Sequence, residues 1–477
     1  MNSESKPITV RQRVRWLPAV MDTPISLFLG MAKGSGILLE SAEVDGRWGR
    51  YSVLACDMAL ILACREGRLE CMVEDVRFAS LVELSGMPFV EGLREAMRRI
   101  EVIPAPEAAM LPPITRSLCG WLGHGMAGLF DHGLANALPQ HQAEGMLCLP
   151  GTLMLFDHLY NRLVQVSLGE HRPVEGRHSA LDEVQDSCSA EGSEMQSSLD
   201  EAGYQEIVRR AKEKLIEGEA IQAVPSVLFS EPFEGDALTL YRRMRSASPS
   251  PYMFFMRLPG ITLFGSSPEA MVQCSGGKLL IAPIAGSRRR GRSVAEDAAL
   301  AEALLADPQE SAKHMMLVDL GRSDLGRIAA PASVEVESLM AVERFSQVMH
   351  LTSRITARLR EGLDAVDVLA SAFPAGAVSG VPRSRAVKMV AELEQAPRGP
   401  YAGCIGWIGL DKGSVHLDTG IAVRTLWVRD GRLFWQAGAA VFHDTDEALA
   451  WKNIAQKSAM IRQSCSESEG HHVPAHR

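Results

Sequence analysis

The sequence predicts an α+β fold with two large, mainly antiparallel β-sheets flanked by helices. Strand-like and helix-like runs are mixed without strict alternation, which is not the pattern of a parallel, doubly wound sheet. Several apolar runs are separated by short polar turns, as in antiparallel hairpins. The 477 residues are 46% hydrophobic and 22% charged, so the chain can bury a sizeable core.

The N-terminal region, residues 1–170, is predicted to contain two β-hairpins. Residues 51–75 form two apolar runs around a polar turn at 65–68, and residues 151–170 repeat this pattern. Residues 171–200 are rich in Ser and Glu and poor in large apolar side chains. We therefore expect them to form a mobile linker.

The C-terminal region, residues 201–463, contains helical and strand patterns side by side. Apolar residues at helical spacing predict helices near 294–306, 309–320, 346–360, 383–395 and 446–463. Shorter apolar runs predict strands near 252–257, 261–266, 333–341, 401–410, 415–428 and 432–441. The polar residues 464–477 predict a disordered tail.

Charge, cysteine usage and hydropathy argue against several classes of protein. The net charge of -9 does not suit a nucleic-acid-binding protein, which needs clustered Lys and Arg. The nine cysteines include no C-x-x-C pair, so neither a zinc site nor a disulfide framework is indicated. The longest apolar runs are too short to cross a bilayer, and the polar, basic N-terminus is unlike a signal peptide. We expect a cytoplasmic protein with no nucleic-acid or membrane partner.

Three glycine-rich stretches with nearby arginines predict an anion-binding pocket. They are residues 283–293, 373–385 and 436–441. Such loops expose backbone N–H groups, and a guanidinium binds a carboxylate through two hydrogen bonds. Taken alone, each stretch is explained at least as well by an ordinary turn with solvated arginines. The candidate acid–base groups are Glu269, His314 and His350. A lone histidine on an apolar helix face is more often a core residue than a catalyst.

Nine stretches of the sequence, taken together in their order along the chain, indicate a family far more specifically than any one of them does alone. They are "SPSPYMFF", "FGSSPEAMV", "PIAGSRRRG", "LLADPQESAKHMMLVDLGRSDLGRI", "VERFSQVMHLTS", "FPAGAVSGVPRSRA", "RGPYAGCIGW", "DTGIAVRT" and "QAGAAV". Together they resemble the chorismate-binding enzymes, in particular anthranilate synthase component I. The resemblance is strong over residues 200–463 and extends through 23–29 and 36–52. It implies the same architecture, with the active site between the two sheets. It also implies that ammonia adds to chorismate as a hydroxyl leaves, before pyruvate is eliminated.

The resemblance implies roles for several residues of the predicted pocket. Glu269 corresponds to the general acid that protonates the departing hydroxyl, and His350 corresponds to the active-site histidine of the family. Tyr401 and Arg424 correspond to residues that hold the pyruvyl carboxylate, together with the backbone N–H near Gly438.

Further positions concern the ring carboxylate and the nucleophile. Gly286 and Ser287 correspond to the site of the ring carboxylate. Gln222 stands where water-using relatives carry a lysine that activates water, and an amide cannot serve as that base. The resemblance therefore implies ammonia as the nucleophile, from solution or from a separate glutaminase subunit.

The metal site departs from the pattern of the family, whose members hold Mg²⁺ over the ring carboxylate with glutamates from two helices. The corresponding residues here are Lys313, Ala450 and Asn453, so we expect no metal cofactor. Lys313 also falls in the first turn of its predicted helix, where a positive charge opposes the helix dipole. Two interpretations remain open. Either Lys313 replaces the metal by pairing with the ring carboxylate, or the chain is an inactive or altered-substrate homologue that acts as a regulatory or partner subunit.

Three N-terminal and central stretches resemble the tryptophan feedback site of the same family. The positions concerned are Leu39, Glu40, Ser41, Tyr51, Pro251, Tyr252 and Met253. They imply an amino-acid pocket between residues 1–170 and the following region. The alternative is that they are simply packed residues of a sheet.

Overall fold

The computed structural model describes residues 7–18, 23–41, 50–108, 110–171, 173, 195–344, 348–394 and 396–466. Within these residues the strands are β1 (Ile8–Arg11), β2 (Arg13–Pro18), β3 (Gly36–Glu40), β4 (Tyr51–Arg65), β5 (Arg68–Val73), β6 (Ile100–Ile103), β7 (Ser117–Leu122), β8 (Glu144–Asp157), β9 (Arg162–Ser167), β10 (Gln196–Ser197), β11 (Gln222–Ala223), β12 (Ser226–Pro232), β13 (Tyr252–Leu258), β14 (Ile261–Ser267), β15 (Ala270–Ser275), β16 (Lys278–Ile281), β17 (Ile284–Arg289), β18 (Glu335–Arg344), β19 (Val348–Arg358), β20 (Gly380–Val381), β21 (Cys404–Gly409), β22 (His416–Ile421), β23 (Thr425–Arg429) and β24 (Arg432–Gly438). The α-helices are α1 (Pro24–Met31), α2 (Phe89–Arg99), α3 (Ala127–Phe130), α4 (Glu201–Ile216), α5 (Ala237–Ala247), α6 (Val294–Ala306), α7 (Pro308–Gly326), α8 (Ala365–Ala372), α9 (Gly376–Ser379), α10 (Arg383–Leu393) and α11 (Glu447–Ser466).

The strand pairing confirms the α+β class and the antiparallel character of the sheets. Among the described residues, 20 strands form one hydrogen-bonded network. Every pair in this network is antiparallel. Outside it, β1 and β6 form a short parallel pair, and β11 and β20 form a short antiparallel pair.

Two long strands, β4 and β8, join the two halves of this network. The first half of β4 pairs with β3 and its second half pairs with β5, while β8 pairs with β4 along its length. A register shift between Met58 and Leu60 bends the pair, and Asp57 beside it has φ 53°. Because both strands continue through this bend, the large sheets share hydrogen bonds at their junction.

Two large clusters of buried apolar side chains pack against the strands. One cluster includes Tyr204, Tyr241 and Trp435, and it packs α4, α5 and α11 onto the sheet. The other includes Phe78 and Leu325 and extends from the N-terminal hairpins to α7. Both regions of the chain therefore contribute to a shared core, which places residues distant in sequence around one site.

Most predicted elements of the C-terminal region are confirmed, and β19 is the main correction. The prediction of a helix over 346–360 is wrong, because Val348–Arg358 is a strand that pairs with β16, β17 and β18. The run is rich in β-branched residues, which favour strands, and its apolar residues are buried within the sheet. The single strand predicted over 415–428 is two strands, β22 and β23, separated by a bend at 422–424.

The predicted linker and tail lie mostly outside the described residues. Residues 172 and 174–194 of the linker and 467–477 of the tail are in this category. In the described part, β10 pairs with β12 and α11 continues to Ser466, so the ordered structure extends beyond the predicted boundaries on both sides. Over the described ranges, no helix is both long and apolar enough to span a membrane.

Candidate active site

Glu269 lies in the connection between β14 and β15 and lines a cavity of about 50 Å³. The other residues around this cavity are apolar apart from Asp324. Burial raises the pKa of the Glu269 carboxyl to about 7, although the positive charges of Arg424 and Lys457 act in the opposite direction. A carboxyl in this range carries a proton in a large fraction of molecules near neutral pH, so it can act as a general acid.

Two cations face Glu269 from different elements. Arg424 lies in the bend between β22 and β23 with φ 46°, and its Nη1 donates to Ser248 Oγ at 3.3 Å. Lys457, on α11, donates from Nζ to the Gly438 carbonyl oxygen at 2.6 Å. Loss of water around the charged groups lowers the pKa of both side chains, and the carboxylate of Glu269 opposes this shift. A carboxyl and two cations therefore meet at one end of the site.

Lys457 is a site residue that the sequence analysis missed. It follows Ala450 by seven positions and Asn453 by four, so all three lie on one side of a helix. This helical spacing is the signal in the sequence that places the lysine on the same side as the two positions.

Tyr401 and Gly438 are brought together beside Glu269, as the resemblance implies. A Cβ atom added at Gly438 would lie 2.5 Å from the Tyr401 hydroxyl oxygen, so a side chain at this position would collide with the tyrosine. Burial raises the pKa of Tyr401 to about 12, and the Gly438 N–H donates a hydrogen bond to the hydroxyl oxygen. The hydroxyl is therefore neutral and fixed in place, as a group that orients a ligand should be.

His350 and the Gly286–Ser287 pair form the other end of the site. His350 on β19 lies opposite Ser287 on β17, with Nδ1 2.9 Å from Ser287 Oγ and 3.2 Å from the Gly286 carbonyl oxygen. Burial lowers the pKa of His350, the hydrogen bond with Gly286 opposes this shift, and the charge of Arg424 adds to it, so the net effect favours the neutral imidazole. Because the charge of Arg424 affects His350, the two ends lie near each other.

Lys313 lies on α7 and pairs with an acidic neighbour. Its Nζ lies 3.0 Å from Glu310 Oε1, and 45% of the lysine side chain is exposed. The helix begins at Pro308 and is capped by Asp307, so Lys313 is its sixth residue. The prediction that Lys313 occupies the first turn is therefore wrong, because the cap lies upstream of the apolar pattern.

His314, the neighbour of Lys313, points into the core. It is fully buried, and its Nε2 lies 2.7 Å from Ser353 Oγ on β19. This is the packing of a core histidine that holds a helix against a strand, so His314 is not an acid–base group of the site.

Gln222 lies on β11, opposite Val381 of β20, and is buried. The next strand, β12, pairs with β24 and places Ser226 opposite Gly438. Two residues connect β11 to β12, so Gln222 lies four positions before the residue that pairs with Gly438.

The residues present do not fit a magnesium ion. Ala450 is 1% exposed and offers no oxygen ligand, while Asn453 is neutral and on the surface. The Glu310 carboxylate lies beside Gly286 but is already paired with Lys313. Over the described residues, no group of three or more His, Cys, Asp or Glu side chains is arranged to hold a metal. Mg²⁺ needs several oxygen ligands, usually with at least one free carboxylate.

The positions of the implied amino-acid pocket meet between β3 and β13. Glu40 pairs in register with Met253, and Leu39 pairs with Phe254. Glu40 Oε2 accepts hydrogen bonds from the Tyr241 hydroxyl at 2.6 Å and from Arg245 Nε at 3.1 Å.

The remaining positions differ in where their side chains point. Ser41 Oγ is buried, and no partner for it occurs among the described residues. The Tyr51 ring packs under the Arg50 guanidinium at 4.8 Å, and Pro251 is half-buried beside β13. The Tyr252 hydroxyl donates to Asp418 at 2.7 Å instead, so this side chain is committed to the sheet.

The fold is α+β, and in its candidate site a carboxyl with a pKa of about 7 lies near two cations, Arg424 and Lys457. A family model described as chorismate binding enzyme matches residues 85–463, so the chain belongs to the chorismate-binding enzyme family. It is similar to anthranilate synthase component 1 of Geobacillus stearothermophilus, with 35% identity over 94% of this chain and 92% of the relative. The same protein of Pseudomonas aeruginosa is 32% identical over 93% of each chain.

Solved structures give the same architecture. Anthranilate synthase component I from Streptococcus pneumoniae superposes with a TM-score of 0.69 at 27% identity, covering 94% of this chain and 99% of that one. The menaquinone-specific isochorismate synthase MenF from Escherichia coli also has a TM-score of 0.69, at 19% identity and 97% coverage of both chains. The second likeness concerns the fold alone.

Proposed function

We propose that the protein aminates chorismate in the manner of anthranilate synthase component I, with elimination of pyruvate after the addition of ammonia. The observation that carries this proposal is Glu269, a carboxyl with a pKa of about 7 that is flanked by two cations. A general acid of this kind is needed to convert a ring hydroxyl into leaving water.

In this proposal, each site residue that the resemblance implies has a specific role in binding or proton transfer. Glu269 gives its proton to the departing hydroxyl, which leaves as water. Arg424 and Tyr401, with the backbone at Gly438, hold the pyruvyl carboxylate. The Gly286–Ser287 pair holds the ring carboxylate, and His350 fixes Ser287 through the 2.9 Å contact between Nδ1 and Oγ.

Ammonia is the proposed nucleophile because the chain offers no lysine at the position of Gln222. The ammonia comes from solution or from a separate glutaminase subunit. An inactive or altered-substrate homologue is the second candidate, because Ala450 and Asn453 remove the metal ligands on α11.

The test is incubation of the purified protein with chorismate and an ammonium salt at mildly alkaline pH. Anthranilate is followed by fluorescence and total chorismate by chromatography. We expect anthranilate to form, and Glu269→Gln to abolish its formation because an amide cannot donate the proton. Glu337→Gln, at a surface carboxylate, is the matched control and should remain active. Consumption of chorismate without anthranilate would indicate another reaction of the family, whereas unchanged chorismate would favour the inactive homologue.

We also propose that the pocket around Glu40 and Ser41 binds an amino acid. The buried, unpaired Ser41 Oγ and the Glu40 carboxylate give it an acceptor and a further polar group among apolar strands. Titration with tryptophan by calorimetry tests this proposal. Glu40→Gln should weaken binding, and an absence of heat with the wild type would mean that these residues only pack the sheet.

A further inference from the structure

We propose that Lys313 binds the ring carboxylate of the substrate directly, so that this chain recognises with an ammonium group what its family binds through a metal ion. The inference rests on the proposed function and extends it to the way in which the substrate is held. It starts from the disagreement between the residues of this site and a magnesium ion.

Lys313 forms an ion pair with Glu310, one turn earlier on α7. Glu310 Oε1 lies 3.0 Å from Lys313 Nζ. The other carboxylate oxygen, Oε2, lies 3.3 Å from the point where a Cβ of Gly286 would stand. The Glu310–Lys313 ion pair therefore lies beside Gly286, where α7 packs against β17.

The backbone at this corner departs from regular strand pairing. Gly286 has φ 64°, a conformation that suits glycine, and it interrupts the pairing of β17 with β19. Ser287 is exposed, and its hydroxyl is oriented by His350. A carboxylate that approaches Ser287 would meet its hydroxyl, with the Glu310–Lys313 ion pair beside the neighbouring Gly286.

The ammonium has the capacity to bind a second anion. Lys carries three N–H donors, and Glu310 takes one of them in the described part of the chain. With 45% of its side chain exposed, Lys313 is accessible to a ligand. The carboxylate of Glu310 competes for the same charge, so we expect weaker attraction than a divalent ion would provide.

The same ammonium disfavours a metal ion at this corner. A divalent cation placed beside Glu310 would meet the positive charge of Lys313 within a few ångströms, and like charges at that distance repel. The neutral Asn453 supplies no compensating charge. Binding of the substrate should therefore be independent of Mg²⁺.

The experiment is calorimetric titration of the full chain with chorismate, once with EDTA and once with Mg²⁺. We expect the same affinity in both, and about tenfold to hundredfold weaker binding by Lys313→Met. Lys278→Met removes a lysine in a comparable surface ion pair, with Glu337 at 2.6 Å, and should bind like the wild type. Circular dichroism and the thermal midpoint establish that each variant is folded.

A second variant separates the possible failures. Lys313→Glu restores a carboxylate next to Glu310, so it should bind chorismate poorly in EDTA and gain affinity with Mg²⁺. Wild-type binding that requires Mg²⁺ would overturn the role of Lys313 and leave the proposed function standing. Equal binding of chorismate by Lys313→Met and the wild type would also overturn the role of Lys313 and leave the proposed function standing. A wild type that binds no chorismate under either condition would overturn both proposals.

Discussion

Glu269 shows how opposing electrostatic effects are balanced at one residue. Burial disfavours the charged carboxylate, whereas Arg424 and Lys457 favour it, and burial is the larger effect because the pKa of Glu269 is raised to about 7. The carboxyl is thus kept partly protonated although two cations lie nearby. These cations are still useful, since they are available to the carboxylate of a ligand.

The pKa of Glu269 predicts the pH dependence of catalysis. The acid form must donate the proton, so kcat/KM should fall as the pH rises through about 7, approaching tenfold per pH unit. The measurement is kcat/KM across neutral to alkaline pH at a constant concentration of free ammonia. A profile that stays flat through this range would mean that another group is the acid.

Substitution of Lys457 tests how the charge of this lysine affects the pKa of Glu269. Its charge lowers the pKa of Glu269, so Lys457→Met should raise that pKa and move the alkaline limb of the rate profile to higher pH. The substitution also removes the donor to the Gly438 carbonyl oxygen and should raise KM for chorismate. Lys452→Met, an exposed lysine on the same helix, is the control. A shift of the alkaline limb of the rate profile to lower pH would contradict this effect of Lys457 on the pKa of Glu269.

At the level of the element, β19 joins the site to α7. Its His350 faces Ser287. The Oγ atom of its Ser353 lies 2.7 Å from Nε2 of His314 on α7. The same hydroxyl oxygen accepts a hydrogen bond from the Met340 N–H at 2.9 Å. One strand therefore sets both the histidine of the site and the helix that carries Lys313.

Ser353 is expected to be important for stability. Ser353→Ala leaves a buried imidazole nitrogen and a backbone N–H without their partner, which costs roughly 1–3 kcal/mol of the free energy of unfolding. Urea denaturation measures the change. Ser323→Ala, an exposed position of α7, should change stability little because helix propensity is the main difference. A value for Ser353→Ala near that of the control would show that the contact contributes nothing.

Across the whole molecule, a buried ion pair joins the core to the site. Arg398 donates to Glu394 and to the backbone carbonyl of Val378, at 2.9 Å and 2.8 Å. Glu394 in turn accepts hydrogen bonds from the Ser226 N–H and hydroxyl, both at 2.7 Å. The Arg398 guanidinium also lies 5.7 Å from the centre of the Tyr401 ring. Segments that are distant in sequence are thus held around Tyr401.

Arg398→Met should destabilise the whole fold. It leaves the buried Glu394 carboxylate without its cation, which costs about 3–5 kcal/mol. Thermal and urea unfolding measure the loss. Arg209→Met removes an arginine that pairs with two glutamates on the surface and should leave stability nearly unchanged. Equal effects of the two substitutions would contradict the role of the buried pair.

Much of this organisation was predictable from the sequence because it depends on local patterns. The hairpins, the helices α6, α10 and α11, and the antiparallel class follow from periodicity and turn residues. The ordered motifs predicted the family, and the residues Glu269, Tyr401, Arg424 and Gly438 do lie together.

Other features were decided by the tertiary structure, because they depend on contacts between distant segments. The run 348–358 carries an apolar pattern that periodicity alone reads as a helix, and pairing with three other strands makes it a strand. Lys457 reaches Glu269 only because α11 packs beside β24. The sequence by itself predicted that Glu269, Tyr401, Arg424 and Gly438 share a site, because they stand in recognisable motifs. The burial that raises the pKa of Glu269 and the approach of Glu310 to Gly286 arise only when the sheets and helices pack together.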